Sequence, residues 1–206
     1  MHVEVKHPCI QHKLAIIRDE STGHKRFREL ATEITMFVCY EALKHVEVQS
    51  IEVQTPLATT SCQKIANDLV VVPILRAGVG MLEGILGLVP TARVGFVGLY
   101  RDEASKMPVQ YYQKLPEVAE DALYIVVDPM LATGGSVVAT LDLLKEKGAK
   151  DAVLVCIVTC PEGIQAVEQK HPDVPIYTAA VDSHLDDHKY IVPGLGDAGD
   201  RLYGTR

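Results

Sequence analysis

Four nearly unbroken apolar runs occupy the middle of this chain: Leu69–Leu75, Val94–Tyr100, Ala122–Val127 and Ala152–Val158, with a shorter fifth at Ile176–Val181. A strand with one wet face alternates apolar and polar residues. A strand covered on both faces has no reason to alternate, and reads as a continuous Val/Ile/Leu run. The segments between them, Val79–Leu88, Gly135–Lys147 and Glu162–Lys170, suit helices. Strand and helix in repetition predict an α/β fold around a parallel sheet with right-handed crossovers. Such a sheet places its ligands beyond the carboxyl ends of its strands.

The flanks differ. Phe27, Leu30, Ala31, Ile34, Phe37, Val38 and Leu43 recur at helical spacing, which predicts a long amphipathic helix over Lys25–Lys44. Val46–Thr60 is rich in Val, Ile, Thr and Gln around Pro56, and reads as a β-arm beside the core. With 206 residues, we expect one domain: 1–60 as N-terminal helix and β-arm, 69–181 as α/β core, and 182–206 as a glycine-rich C-terminal segment.

Composition narrows the function classes. A chain 48% hydrophobic and 23% charged can bury a core. A net charge of −7 argues against a general nucleic-acid binder. The apolar runs are far too short to span a membrane, and Met1–Lys13 has no apolar stretch of the secretory kind. Five cysteines (Cys9, Cys39, Cys62, Cys156, Cys160) with no C-x-x-C argue against a disulfide framework or zinc site. They suggest a reducing, cytoplasmic setting, with each cysteine a small buried or half-buried residue.

Chemistry concentrates after the third core strand, which runs into Asp128-Pro129-Met130-Leu131-Ala132-Thr133-Gly134-Gly135-Ser136 and then a helix. Paired glycines let backbone approach an anion, and a helix N-terminus offers free N–H groups with partial positive charge. Thr133 and Ser136 add hydroxyls. An acid at the strand end suits a sugar's hydroxyls better than a phosphate. Acid and nest together describe a ribose phosphate; an ordinary strand-to-helix turn with a Ser N-cap is the plainer alternative. No G-K-[ST] follows, so this is not a Walker A loop.

Arg76 and Arg101 follow the first and second core strands at the same relative position. They read either as solvated strand-end residues or as two forked donors converging on one polyanion. Further on, Gly194, Gly196 and Gly199 lie among the apolar anchors Ile191, Val192, Leu195, Leu202 and Tyr203. That segment is either a flexible end or a tight loop whose backbone reads a small flat base. His184 and His188 suggest a metal pair only weakly, because no H-E-x-x-H spacing accompanies them. Lys13, Arg18, His24, Lys25, Arg26 and Arg28 form a basic cluster, by default a solvated face.

The nine-residue turn from Asp128 to Ser136 closely resembles the phosphoribosyl-pyrophosphate (PRPP) signature of the uracil phosphoribosyltransferases. Other branches usually carry two adjacent acids there. Pro129 in place of the second departs from the hypoxanthine, adenine and orotate branches. The resemblance extends to Val5-Lys6-His7-Pro8, Arg26-Phe27-Arg28-Glu29-Leu30, Pro161-Glu162-Gly163-Ile164 and His171-Pro172-Asp173-Val174. It implies a type I phosphoribosyltransferase fold with a C-terminal hood, making UMP and diphosphate from uracil and PRPP with Mg²⁺. It assigns Arg76, Arg101, Asp128, Pro129, Met130, Leu131, Ala132, Thr133, Gly134, Gly135, Ser136 and Asp197 to PRPP. Ile191, Gly196, Asp197 and Ala198 go to uracil, and Asp197 is the candidate for proton or ribose work. It further implies a non-proline cis peptide at Leu75–Arg76 and a GTP effector, while the apolar face of the long N-terminal helix and the β-arm suggest a homodimer or larger homo-oligomer. An RNA-binding regulator and an enzyme for another base are the competing readings.

Overall fold

A computed structural model describes residues 1–101, 108–118 and 121–205. The sheet is built from β1 (His2–Glu4), β4 (Leu69–Leu75), β6 (Phe96–Arg101), β7 (Pro108–Lys114), β8 (Leu123–Val127), β10 (Asp151–Thr159) and β11 (Ile176–Val181), in the order β1-β11-β10-β8-β4-β6-β7. Short β5 (Arg93–Val94) pairs with β4, and β9 (Met130–Leu131) with β10. Every pairing in this sheet is parallel except β6 with β7.

Helices cover both faces, which is why the strands read as solid apolar runs. Leu69, Val71, Ile125 and Val155 point to one side, against α1 (Pro8–Arg18), α2 (His24–Ala42) and α3 (Val79–Leu88). Val70, Val72, Val126 and Leu154 point to the other, against α4 (Gly135–Glu146) and α5 (Pro161–Lys170). The β-arm is a separate two-stranded hairpin, β2 (Val48–Gln54) with β3 (Thr59–Ile65), which ends five residues beyond the expected bound at Thr60.

Chain order sets the site. From β4 the chain moves outward to β6, then returns to place β8 on β4's other side before continuing to β10 and β11. The direction of winding reverses between β4 and β8, and a crevice opens at such a reversal. Arg76 follows β4 and Asp128 follows β8, so both stand at its rim. The Leu75–Arg76 peptide is cis, as the resemblance implied.

Elements not anticipated include β1, α1, the antiparallel β7 and a short ribbon pairing His184–Leu185 with Ile191–Val192, while α6 (Ala198–Tyr203) lies inside the segment read as a loop. The basic cluster divides: His24, Lys25 and Arg26 are exposed as expected of a solvated face, whereas Lys13, Arg18 and Arg28 are half-buried. Arg18 Nη1 donates to Gly194 O at 2.9 Å, Arg28 Nη1 donates to Leu202 O at 2.7 Å, and Lys13 and Arg26 pair with Glu33 and Glu29. Arg18 and Arg28 thus tie the N-terminal helices to the C-terminal segment. Cys9 is exposed, unlike the other cysteines. His184 and His188 are exposed, and among the described residues no cluster of three His, Cys, Asp or Glu could hold a metal.

Candidate active site

The cradle starts where β8 ends. Asp128 is half-buried, with its backbone N–H donating to Val155 O at 3.3 Å and its Oδ1 accepting a long 3.4 Å bond from the Met130 N–H. Burial pushes its carboxyl up to about 7, because one weak bond does not offset lost hydration. Met130 and Leu131 then pair with Val158 and Thr159 of β10, which pins the loop against the sheet.

The loop turns into α4 at Gly134, where φ is +78°. Gly134, not Ser136, is the N-cap, and no side chain caps the helix. The amides of Gly135, Ser136 and Val137 therefore have no helical acceptor and face a small cavity of about 110 Å³. Asp128 and the whole stretch Met130–Ser136 line it. An uncapped helix end beside two glycines attracts an anion through both its N–H groups and its dipole.

A second cavity of about 220 Å³ adjoins the first and shares Asp128, Met130 and Ala132 with it. The expected base contacts Ile191, Gly196, Asp197 and Ala198 all line it, together with Pro129. Residues more than 60 positions apart in sequence thus meet at one crevice. Asp197 caps α6, its Oδ1 accepting the Asp200 N–H at 2.9 Å, so one carboxylate oxygen is already committed. Its partner Asp200 lies 3.6 Å from Arg76 Nη2. Arg76 O accepts from Tyr203 Oη at 3.0 Å. The Arg76 side chain therefore stands at the hood's edge, 61% exposed and outside both cavities. Arg101 ends β6 as expected, while its side chain lies outside the described residues.

The sequence of this chain matches the family model "Uracil phosphoribosyltransferase" over residues 4–205. The chain belongs to the uracil phosphoribosyltransferase family. A uracil phosphoribosyltransferase of Symbiobacterium thermophilum is 56% identical over 205 residues, 99% of this chain and 98% of that one. One of Alkaliphilus metalliredigens is 56% identical over 203 residues, 98% and 97% of the two chains. The solved structure of AQ2163 protein from Aquifex aeolicus superposes with a TM-score of 0.91 at 40% identity, covering 98% of each chain.

Within this family the fold is the type I phosphoribosyltransferase architecture expected from the motifs, and the enzyme is a pentosyltransferase. Four cavity residues were not anticipated: Ala77, Lys189 and Tyr190 in the larger cavity and Val137 in the cradle. Lys189 and Tyr190 directly precede Ile191, so the turn into the hood was their signal. Lys189 stands at φ +70°, the one non-glycine residue with positive φ among those described.

Proposed function

We propose that this family member joins uracil to PRPP, giving UMP and diphosphate, and so salvages a free base. The observation that carries the reading is the crevice itself: the strand-end acid and uncapped amides of the cradle open directly into a pocket lined by backbone-rich Ile191 and Gly196–Ala198. In the reaction the uracil N1–C1 bond forms and the C1–O bond to diphosphate breaks. The electron pair leaves with diphosphate, and the N1 proton is released.

The chain's part is to hold these groups in line. The cradle amides from Gly135 to Val137 hold the 5-phosphate, Asp128 orients the ribose hydroxyls, and Arg76 and Arg101 receive the diphosphate. Thr133 and Ser136 add hydroxyls beside the 5-phosphate with Leu131 at the same cavity, and Pro129, Met130 and Ala132 shape the side toward the base. Asp197 stands between base and ribose, with its second oxygen free of the N-cap bond to contact either. The donor set fits a Mg²⁺ bound through PRPP's own oxygens, since Asp128 and Asp197 both line the cavity and Mg²⁺ favours one or two carboxylates plus substrate phosphates. When bound, the ion offsets charge on the diphosphate.

The homodimer belongs to the same reading. It is supported by exposed Met36 and Tyr40 on α2 and exposed Val48, Leu57 and Ile65 on the β-arm. The GTP effector rests on the resemblance, since Arg18 and Arg28 are engaged with the C-terminal segment and only His24, Lys25 and Arg26 of the basic cluster are exposed. A cytoplasmic location agrees with the cysteine content, and among the described residues no helix is long and apolar enough to cross a membrane.

The test is turnover of PRPP with uracil, cytosine, hypoxanthine and adenine in parallel, with diphosphate release as the readout. UMP formation from uracil alone supports the reading. Failure to use uracil while another base is consumed would replace it.

A further inference from the structure

Arg18 is the last residue of α1, and its guanidinium grips Asp182 with both arms: Nη2 to Oδ1 at 2.6 Å and Nη1 to Oδ2 at 2.8 Å. Asp182 follows β11 directly, and its side chain is only 6% exposed. Its backbone N–H donates to Thr159 O at 2.7 Å, which anchors it to β10. This pair holds more than itself. Asp182 Oδ2 accepts from the Gly194 N–H at 2.9 Å, and Arg18 Nη1 donates to Gly194 O at 2.9 Å. Both backbone groups of Gly194 are thereby fixed by one part-buried ion pair.

The next residue is held from the other side. Arg201 Nη1 donates to Leu195 O at 2.9 Å, while its Nη2 donates at 2.6 Å to the carbonyl of Asp19, the neighbour of Arg18. Arg201 also lies over the Phe27 ring, 4.4 Å from its centre. Gly194 and Leu195 lead straight into Gly196, Asp197 and Ala198, which line the base pocket. A displacement at Gly194 therefore passes to the pocket within two residues, whereas Met130 and Leu131 of the cradle are held by backbone pairing with Val158 and Thr159, which side-chain changes at Arg18 and Asp182 leave in place.

We propose that Arg18 and Asp182 are positioning residues for the base. They touch neither cavity, and they set uracil affinity by fixing the loop Gly194–Leu195 relative to the sheet. This rests on the uracil reading above and adds to it which residues far from the crevice govern that end of it. Charge alone is not enough for this role: one guanidinium must reach a carboxylate and a carbonyl at once, which a lysine ammonium does less rigidly.

The experiment compares Arg18→Met, Arg18→Lys and Asp182→Asn with the wild type, varying uracil and PRPP independently. The expected result is a KM for uracil raised roughly tenfold in Arg18→Met, the scale of losing charge-assisted hydrogen bonds. The KM for PRPP should change less than about twofold, and Arg18→Lys should recover part of the loss. Amide hydrogen exchange should quicken across 194–199 and stay slow across 128–136. Equal rises in both KM values, or unchanged exchange at 194–199 in folded variants, would overturn the proposal. Should Arg18→Met fail to fold, the milder Arg18→Lys carries the same comparison. If the wild type itself fails to use uracil, the functional reading fails, and the exchange data still decide whether the pair holds the loop.

Discussion

At Gly134 and Gly135 the same substitution has two different meanings. A Cβ on Gly134 would lie 2.7 Å from Ala166 Cβ, and φ is +78°, so any side chain there strains the packing of α4 on α5. Val at that position would damage the fold as well as the nest and cannot isolate the anion site. Gly135 is the cleaner probe, since its Cβ would meet only Thr133 Oγ1, at 3.8 Å, and otherwise open space. We expect Gly135→Val to raise the KM for PRPP tenfold or more, about the loss of one or two hydrogen bonds to a charged group. Its melting temperature should stay near that of the wild type. Asp128 makes a second prediction. Its folded carboxyl is pushed up to about 7, well above its value of 3.8 without burial. Between those values the folded chain holds a proton that the unfolded chain has released, so this group lowers stability as pH rises from about 4 to about 7. Asp128→Asn should remove that slope and stabilise the ligand-free protein at neutral pH by roughly 1–3 kcal/mol, the partial exposure of the group reducing the full effect. Urea denaturation of both proteins at pH 5 and pH 7.5 checks this; parallel curves would contradict it.

Among the elements, β4 joins structure to chemistry most directly, because Arg76 leaves it at the point where the sheet's winding reverses. Its ion pair with Asp200 is 3.6 Å long and its side chain 61% exposed, so it adds little to stability. Arg76→Ala should leave the melting temperature nearly unchanged. It should lower kcat/KM for PRPP tenfold or more, through about 1.5–3 kcal/mol of lost charge-assisted contact. Unaltered PRPP kinetics would make Arg76 a surface residue. The strands and helices of the core were legible because each one's burial writes a pattern into its own residues: Val79–Leu88 and Ile176–Val181 are found at their expected bounds. What was illegible depends on distant partners. α1 buries only Ile10, Leu14 and Ile17 and begins on Pro8, a signal easily lost beside its charged neighbours. β1 is three residues long and exists because β11 offers it an edge. α6 is six residues whose glycine hides the helical pattern, and Leu202 is its anchor in the core. The site was more legible than the hood that closes it. Asp128 to Ser136 is contiguous, whereas the roles of Ala77 and Lys189 arise only when β4 and the hood meet across the crevice.

Taken whole, the molecule brings a rigid α/β core and a backbone-rich C-terminal hood together around about 220 Å³ of cavity. A pocket that reads its substrate through fixed backbone donors and acceptors discriminates strongly against a base with the pattern inverted. Cytosine exchanges an N–H donor for an acceptor and a carbonyl for an amino group, and should be disfavoured on the order of 10⁴-fold in kcat/KM. 5-Fluorouracil keeps the imide pattern and should be used. Ala198→Leu, at a buried cavity wall, should cut uracil use while PRPP affinity is retained, measured by equilibrium binding. The ties between hood and N-terminal helices also bear on biosynthesis. Arg18 with Asp182, Arg28 with Leu202, Arg18 with Gly194 and Asp19 with Arg201 are separated by 164, 174, 176 and 182 positions. On a ribosome adding about 5–20 residues each second, the N-terminal helices emerge many seconds before the partners that complete the pocket. A nascent chain can therefore assemble sheet and cradle before the segment that lines the proposed base pocket is tied to them.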